Sequence, residues 1–494
     1  MRRSPSTGIC RLLIPSLLAI AAATGAAAEI PPFELALAVA PVEVAVDDAQ
    51  VDVIVEPGAQ PMVRAHVAPG STGVPPGFDV SQTGGRIRIL RTVDESAGEA
   101  ATVVLEITLD PAQSLRVRGS RLSVAVRNPL RPIEPARPVA SAPKGDDGAT
   151  EPPAEVASQG YELVDSELYT TGAATISLVT QNTVVDVESS SGDLTVELTL
   201  GSLSVRRHEG SLNLVSVDGE STVEDLEGAV SFTLDGGSLA LRSGTGAIQG
   251  SSIRGFAACD RWTGGVSLTG EEATFELRDS EAQPLRLTTK STAIRIDGLR
   301  GPVFAQVAGG EVIAESVVGS LDVSATAGAV VEVTAIEGPL TVAAREESTV
   351  ELMQVDGLVT ANLDRSTMAL AGADNLNLTA SGSRVTATGI RRLSGCVATS
   401  SELSLDLSEA EERHLDLRVT GGSTVDVVLR SPCQVQLRDS AAASQQVDVT
   451  GCEFQLQNTG RWRGGMRRDA SGRPPFLLTA KVAETGLLRV RGGP

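Results

Sequence analysis

The side chains that most often carry out chemistry in proteins are few in this chain and lie far apart in its sequence. Its 494 residues include three histidines, His66, His208 and His414, each in a different region. None of them has a cysteine or a second histidine at the spacing of zinc ligands. We therefore expect three surface histidines and no zinc site.

Nucleophilic and carboxylate chemistry is equally hard to assemble from the sequence. The chain has no Gly-x-Ser-x-Gly motif, and no Ser-His-Asp or Cys-His arrangement can be built. Enzymes that cleave acidic polysaccharides need clustered carboxylates, or calcium with an arginine base, and their sugar subsites usually carry exposed aromatic rings. Two tryptophans and two tyrosines make a long sugar cleft unexpected, although stacked strands could still bring distant carboxylates onto one face.

Calcium is suggested by the acidic turns but not by their detailed pattern. Calcium-binding β-rolls repeat Gly-Gly-x-Gly-x-Asp, whereas the double glycines of this chain lack the third Gly and the Asp. These double glycines are Gly236-Gly237, Gly264-Gly265, Gly309-Gly310 and Gly421-Gly422. We expect no metal ion, no other cofactor and no catalytic residues.

One segment combines basic and aromatic residues in a chain whose formal net charge is -21. It contains Arg461, Trp462, Arg463, Arg467 and Arg468, and it is either an anion-contact loop or an ordinary loop near a C-terminal cap. The negative net charge argues against a nucleic-acid partner, since phosphate binding needs a surplus of Lys and Arg on one face. The sequence does not identify the partner, and an envelope or extracellular polymer or protein is compatible with it.

Glycines mark the elements that must position all these side chains. Between residues 192 and 264 a glycine recurs every nine residues, and an apolar residue stands two positions after most of them. The glycines are Gly192, Gly201, Gly210, Gly219, Gly228, Gly237, Gly246, Gly255 and Gly264. Period-two alternation after a turn residue indicates a short strand with one buried face.

The repeat predicts an all-β fold in which these strands stack as a parallel solenoid. One strand and one turn cannot close on themselves, so roughly 18 to 20 residues should complete one coil. The nine-residue glycine repeat returns at Gly301, slips by one residue at Gly338 and loosens after Gly357, where Ser366, Ser383 and Ser394 stand in or near turn positions. An array of antiparallel hairpins is the competing interpretation, but it has no reason to keep a fixed nine-residue beat.

The same beat predicts the environment of the cysteines. Cys259 falls four residues after Gly255, at an inward-facing position, so we expect a buried thiol. Cys433 and Cys452 are nineteen residues apart and should lie on neighbouring coils. Strand spacing and an exported compartment permit a disulfide there, whereas parallel neighbours orient both side chains alike, so the pair is a candidate disulfide only.

The N-terminal part of the sequence divides into three regions. Residues 1–28 have a basic start, a short apolar run and small residues before Glu29, which indicates a signal peptide; a retained membrane anchor is the alternative. Residues 29–128 are β-rich and form either a separate domain or the first coils of the solenoid. Residues 129–159 are proline-rich and form a linker or a disordered excursion from one coil.

The remaining residues, 160–494, are predicted to form the β-solenoid with its C-terminal cap. Helix formers behind Ser408 predict about one helical turn there. No later segment is apolar for the length of a membrane helix, so we expect no transmembrane segment in the mature chain.

Several stretches of the sequence resemble a known family. They are Gly84 to Ile89, Val103 to Pro111, Leu115 to Gly119 and the Gly-Ser-Leu units at Gly201, Gly210, Gly237 and Gly319. Together they resemble the bacterial putative-adhesin family of β-strand-repeat proteins, and the resemblance covers most of the mature chain. It implies a right-handed parallel β-helix outside the cytoplasm with an adhesive or structural role, and it supplies no catalytic residues; the proline-rich insert departs from the usual layout.

The expected function is therefore that of an exported, non-enzymatic β-helix that acts as an adhesin-like or structural binding surface. Its location is extracytoplasmic, whether periplasm, cell surface or secreted. Two alternatives stay open: a polysaccharide lyase or hydrolase on the same scaffold, and an accessory protein of an envelope-stress system.

Overall fold

The computed structural model describes most of the chain between Phe33 and Gly493. The described residues are 33–36, 42–46, 49–55, 62–67, 77–83, 86–92, 103–109, 115–120, 122–127, 158–164, 166–173, 175–411, 414–430, 433–437, 447–450, 452–456, 476–482 and 486–493. The predicted signal peptide, residues 129–157 of the proline-rich insert and the basic cluster at 461–468 lie outside them.

The chain forms two compact units, residues 1–244 and residues 245–494. Strands dominate both units, the described residues contain no helix, and the solenoid has about 14 turns counted over both. None of the described residues forms a helix that could cross a membrane.

Unit 1 contains β1 (Phe33–Ala36), β2 (Val42–Ala45), β3 (Ala49–Val55), β4 (Met62–Val67), β5 (Gly77–Thr83), β6 (Arg86–Thr92), β7 (Val103–Leu109), β8 (Leu115–Ser120), β9 (Ser123–Arg127), β10 (Ser158–Val164), β11 (Glu167–Ala173), β12 (Thr175–Gln181), β13 (Val184–Ser191), β14 (Leu194–Thr199), β15 (Ser202–Glu209), β16 (Leu212–Val217), β17 (Glu220–Glu227), β18 (Val230–Asp235) and β19 (Ser238–Thr245), which ends at the boundary.

Unit 2 contains β20 (Ile248–Ile253), β21 (Phe256–Glu271), β22 (Thr274–Arg278), β23 (Glu281–Asp297), β24 (Val303–Val318), β25 (Leu321–Thr326), β26 (Val330–Glu337), β27 (Leu340–Arg345), β28 (Thr349–Asp364), β29 (Thr367–Ser381), β30 (Arg384–Ile390), β31 (Leu393–Thr399), β32 (Glu402–Leu407), β33 (His414–Thr420), β34 (Thr424–Arg430), β35 (Cys433–Leu437), β36 (Val447–Thr450), β37 (Glu453–Leu456), β38 (Phe476–Val482) and β39 (Leu487–Gly493).

The strands of unit 1 pair in parallel with strands one coil further along, at an offset of eighteen residues. Val196 of β14 lies opposite Leu214 of β16, and Val205 of β15 lies opposite Val223 of β17. Buried and exposed side chains alternate along each strand, so one aliphatic row per strand faces the interior. The predicted parallel solenoid is confirmed, and the antiparallel array is wrong for these coils.

The coils between residues 182 and 228 each turn at three corners, and the chain has positive φ at all of them. The first two corners hold non-glycine residues with φ between 48° and 55°: Asn182, Leu200 and Asp218 at the first, and Ser189, Arg207 and Asp225 at the second. Glycine occupies the third, where a Cβ on Gly210 would lie 1.9 Å from the carbonyl oxygen of Gly192. Backbone contact between coils therefore demands glycine at this corner, whereas Gly219 follows a left-handed Asp218 and is not itself left-handed.

The N-terminal strands join the same parallel ladder, but out of sequence order. β2 lies between β6 and β8, and β3 lies between β7 and β9. β8 and β9 continue the ladder to β10 and β11. Antiparallel pairing occurs only at this end among the described strands, where β4 pairs with β1 and β7, and β5 pairs with β6.

Unit 2 has the same parallel coils, with small changes in coil length. The offset between paired strands is nineteen residues from Val266 to Leu285, eighteen from Leu285 to Val303 and seventeen from Val359 to Leu376. These changes explain why the glycine beat drifts in the second half of the sequence.

A column of buried serines replaces glycine at one corner of unit 2. The backbone N–H of Ser366 donates to Oγ of Ser383 at 3.1 Å, that of Ser383 to Oγ of Ser401 at 3.2 Å, and that of Ser401 to Oγ of Ser423 at 3.1 Å. Each hydroxyl in turn donates to a carbonyl of its own coil, as Ser383 does to Ser381 at 2.8 Å. The column satisfies buried donors that the turn would otherwise leave unpaired.

The C-terminal coil of unit 2 is also out of sequence order. β38 lies between β33 and β35, and β39 lies between β34 and β36. The helical turn predicted after Ser408 is wrong: residues 408–409 form a turn, in which Asp406 accepts from the N–H of Ser408 and the N–H of Ala410 donates to Leu407. These two hydrogen bonds close a turn directly after β32 in place of a helix.

Candidate binding surface

His208 is buried, so its predicted surface position is wrong. Only 1% of it is exposed. It follows the left-handed Arg207 and takes the inward position that Ser190 and Leu226 occupy on the neighbouring coils. In the sequence, the eighteen-residue spacing of His208 from those two residues was the sign that it would be buried. The side chains of His66 and His414 are not described, so their positions stay predictions.

Hydrogen bonds fix the tautomer of His208. Its Nε2 lies 3.3 Å from the carbonyl oxygen of Ser211 and its Nδ1 lies 2.8 Å from Oγ of Ser190. Because a carbonyl can only accept, Nε2 carries the proton and the Ser190 hydroxyl donates to Nδ1. Burial lowers the pKa of His208 below its usual value, which keeps the ring neutral as a structural member of the stack.

The thiols of Cys259 and Cys396 are free and buried inside unit 2, as predicted for Cys259. Burial raises the pKa of each thiol to about 12, so neither is a ready nucleophile.

Cys452 takes part in a disulfide, and the partner that the sequence proposes for it is Cys433. The pairing of Gln434 with Glu453 places residue 433 next to residue 452 across the parallel ladder. The side chain of Cys433 is not described, so the pairing stays a prediction. The candidate anion-contact residues Arg461, Trp462, Arg463, Arg467 and Arg468 lie outside the described residues.

The most distinctive surface feature of unit 2 is a groove at a bulge in the ladder. β21 and β23 pair from Gly264 opposite Ala282 and resume at Val266 opposite Leu285, so the later coil has one extra residue. At this break Gln283 and Pro284 of β23 face the single residue Gly265 of β21. The resulting open groove has a volume of about 520 Å³ and is lined by Glu281, Gln283, Pro284, Arg300, Gly301 and Pro302; we call it the bulge groove.

An aromatic ring and a guanidinium lie beside the bulge groove, each two residues beyond one of its prolines. Arg286 of β23 is opposite Phe304 of β24, and its guanidinium carbon lies 5.0 Å from the ring centroid. Phe304 is 37% exposed. This cation–π contact holds the ring and the charge together at the surface.

The same face continues as a row of uncharged polar side chains. Thr269, Thr288, Gln306 and Ser324 lie opposite one another on four successive coils; we call them the polar column. The first three are exposed and the fourth is half-buried. Two residues further on, Lys290 donates to Glu271 at 2.6 Å, so the charges at that margin are paired.

The guanidinium groups around the groove are not paired in this way. Within the described part of the chain, neither Arg286 nor Arg300 forms an ion pair or a side-chain hydrogen bond, and Glu281 accepts only from Gln283, at 3.2 Å. Arg300 is a neighbour of Glu281 in the ladder yet makes no ion pair with it. The groove is therefore flanked by two arginines that have no carboxylate partner among the described residues, on an acidic protein.

The surface of unit 1 shows the contrasting arrangement. Glu224 lies between Arg206 and Arg242 on successive coils, at 4.0 Å and 3.3 Å, and Glu188 pairs with Arg207. Alternating charges of this kind stabilise the stacking modestly and leave little charge for a ligand.

Sequence reasoning missed the bulge groove. The only sign of it was the spacing from Gly264 to Gly301, which is one residue longer than two coils of eighteen. In the described residues, no three His, Cys, Asp or Glu side chains converge as a metal site would require.

These features define the chain as a β-solenoid protein with a polar groove on one face. No known family matches it, and no curated protein matches it. A crystal structure of a putative cell adhesion protein from Clostridium sporogenes is a match at 7% sequence identity and a TM-score of 0.17, covering 54% of this chain and 98% of that one. Similarity at this level supports no argument about function, and membership of the putative-adhesin family stays a prediction.

Proposed function

We propose that this chain is an exported, non-enzymatic binding protein with an adhesin-like role, and that it contacts its partner through the face carrying the bulge groove. The observation that supports this most is the division between interior and surface. The imidazole of His208 and the thiols of Cys259 and Cys396 are buried between coils, whereas exposed cations and an exposed ring surround an open groove.

The binding role is tested with purified protein spanning residues 29–494. It is passed over immobilised envelope and extracellular polymers and proteins, and the retained protein is measured beside a thermally unfolded sample. The proposal expects the folded protein alone to be retained by at least one of them. Equal retention of folded and unfolded protein, or none at all, would contradict it.

The same polymers, in solution, separate a binder from a polysaccharide lyase or hydrolase. After long incubation, with and without calcium, the mixture is assayed for new reducing ends and for unsaturated sugar ends. We expect neither above the level of a blank. Product that grows with protein concentration would make the chain an enzyme and overturn this part of the proposal.

Export is tested by the N-terminus of the protein in cells. Cleavage after the small residues that precede Glu29 should yield a chain beginning at or next to that residue, found outside the cytoplasm. Mass spectrometry of the N-terminal peptide checks this. A cytoplasmic chain that keeps residues 1–28 would show that the export proposal is wrong.

A further inference from the structure

We infer that the bulge groove, together with Arg286, Phe304 and the polar column, binds a carboxylate-bearing saccharide such as a segment of a polyuronate. The inference rests on the proposed binding function and names the chemistry of its ligand.

The two arginines of the site favour a ligand that carries negative charge. Arg286 and Arg300 have no carboxylate partner in the described part of the chain, although the whole chain carries a formal charge of -21. In the same unit, Arg278 and Arg384 lie 2.8 Å and 3.0 Å from glutamate oxygens. Guanidinium groups recognise carboxylates through paired, charge-assisted hydrogen bonds, so the groove fits a ligand with spaced negative charges.

The exposed ring sets a second requirement. Phe304 is 37% exposed, and the guanidinium of Arg286 lies over its ring. Such a ring at the rim of a polar groove suits a ligand with an apolar C–H face as well as charge. A sugar ring has this combination, whereas an inorganic anion lacks it.

The polar column favours a saccharide over an acidic peptide. Its hydroxyl and amide groups repeat at the strand spacing, so the four coils from Thr269 to Ser324 span about 14 Å of uncharged donors and acceptors. β23 is paired on both sides, with β21 and β24, so this face has no free strand edge to which a peptide could add. The repeating hydroxyls of a polymer match the repeating groups of the column.

The test measures binding of an oligogalacturonate by isothermal titration. It uses the wild-type chain, R286Q, R300Q and F304S, with R384Q as the matched control because Arg384 lies elsewhere in unit 2 and pairs with Glu402. Each of the first three variants should bind at least about tenfold more weakly, and R384Q should bind as the wild type does. Unchanged thermal unfolding of each variant confirms that binding, not folding, was altered.

Two further ligands decide the ligand class. The methyl-esterified oligomer of the same length removes the carboxylates and should bind more weakly than the acid, while an oligoglutamate keeps the charges without the sugar and should also bind more weakly. Equal binding of the oligoglutamate, or oligogalacturonate binding that R286Q and R300Q leave intact, overturns the inference. If the wild-type chain is retained by some other surface but ignores uronates, the inference fails while the proposed function stands; if nothing retains it, the proposed function itself fails.

Discussion

At the level of the residue, the buried imidazole of His208 shows what the nine-residue glycine repeat could not predict. The beat marks glycines and the aliphatic positions two residues later, and it predicted the burial of Cys259 correctly. It does not mark the left-handed corners at Ser189, Arg207 and Asp225, because these residues share no side-chain type. Period-two alternation alone places His208 on the outer face, whereas the left-handed Arg207 before it turns the side chain to the interior.

His208 should make the stability of the protein depend on pH. Its pKa in the folded state is lowered by burial from an unfolded value near 6.5, so protonation favours the unfolded chain. The stabilising effect of a neutral, buried imidazole is complete above pH 6.5 and is lost as pH falls through that value toward the folded pKa. The free energy of unfolding, measured by denaturant titration, should therefore decline over this window.

The matched variant for this prediction is His208→Leu, since Leu226 occupies the equivalent position on the next coil. The unfolding free energy of the wild type minus that of the variant should increase as pH rises from below to above 6.5, whichever of the two proteins is the more stable. Identical pH dependence in the two proteins would show that His208 does not titrate on unfolding.

At the level of the element, the type of residue at each corner determines how closely neighbouring coils can stack. Gly338 and Gly328 are both in unit 2 and both have positive φ, 144° and 74°. A Cβ at Gly338 would lie 2.2 Å from the carbonyl oxygen of Gly319, whereas a Cβ at Gly328 has nothing within 4 Å. Comparing substitutions at the two glycines therefore separates the cost of a clash between coils from the cost of a positive φ.

Gly328→Ala should cost about 1 kcal/mol of unfolding free energy, the penalty of a left-handed alanine. Gly338→Ala adds a clash with backbone that cannot rotate away, so its cost should reach or exceed the upper end of the roughly 1–3 kcal/mol typical of overpacking. Chemical denaturation of both variants measures the difference. Equal losses would mean that close coil contact at this corner is not real.

The serine column of unit 2 gives a second element-level prediction. Ser383→Ala removes the acceptor for the N–H of Ser366, at 3.1 Å, and leaves a buried donor unpaired, which should cost about 1–3 kcal/mol. Ser394→Ala is the control, because Ser394 is exposed and bonds only the side chain of Asn375. If both changes cost the same in denaturation, the column is not a stabilising network.

The bulge groove shows why the site was harder to predict than the strands. Strand positions follow from residue types that repeat, so the coils of residues 192–264 could be placed from sequence alone. The groove arises from one extra residue. Its arginines are ordinary surface residues until the ladder places Arg286 opposite Phe304 and Arg300 next to Glu281. No residue type marks a register change, so in the sequence it was visible only as one extra residue in the glycine spacing.

For the whole molecule, sequence order and spatial order differ at both ends of the chain. β2 and β3 insert between later strands in unit 1, and β38 and β39 insert between earlier ones in unit 2. A local repeat cannot predict such insertions, because they depend on long-range pairing that spacing does not encode. In unit 2 they leave β36 and β37, rather than the later β38 and β39, as the outermost described strands.

The central claim is that strands far apart in sequence are stacked neighbours in parallel register. Spin labels at exposed positions on one face of unit 2 test it through double electron–electron resonance. Thr288 and Asn362 are separated by four pairings, through Gln306, Ser324 and Ala343, and Thr379 lies one pairing further on.

The account predicts a backbone separation of about 19 Å for labels at Thr288 and Asn362, and an increase of only about 4.8 Å when the second label moves from Asn362 to Thr379. Cysteines introduced at these exposed positions carry the labels, while the buried thiols of Cys259 and Cys396 should stay unreacted. Equal distances for the two pairs, or an increase of several strand spacings, would contradict the parallel stack.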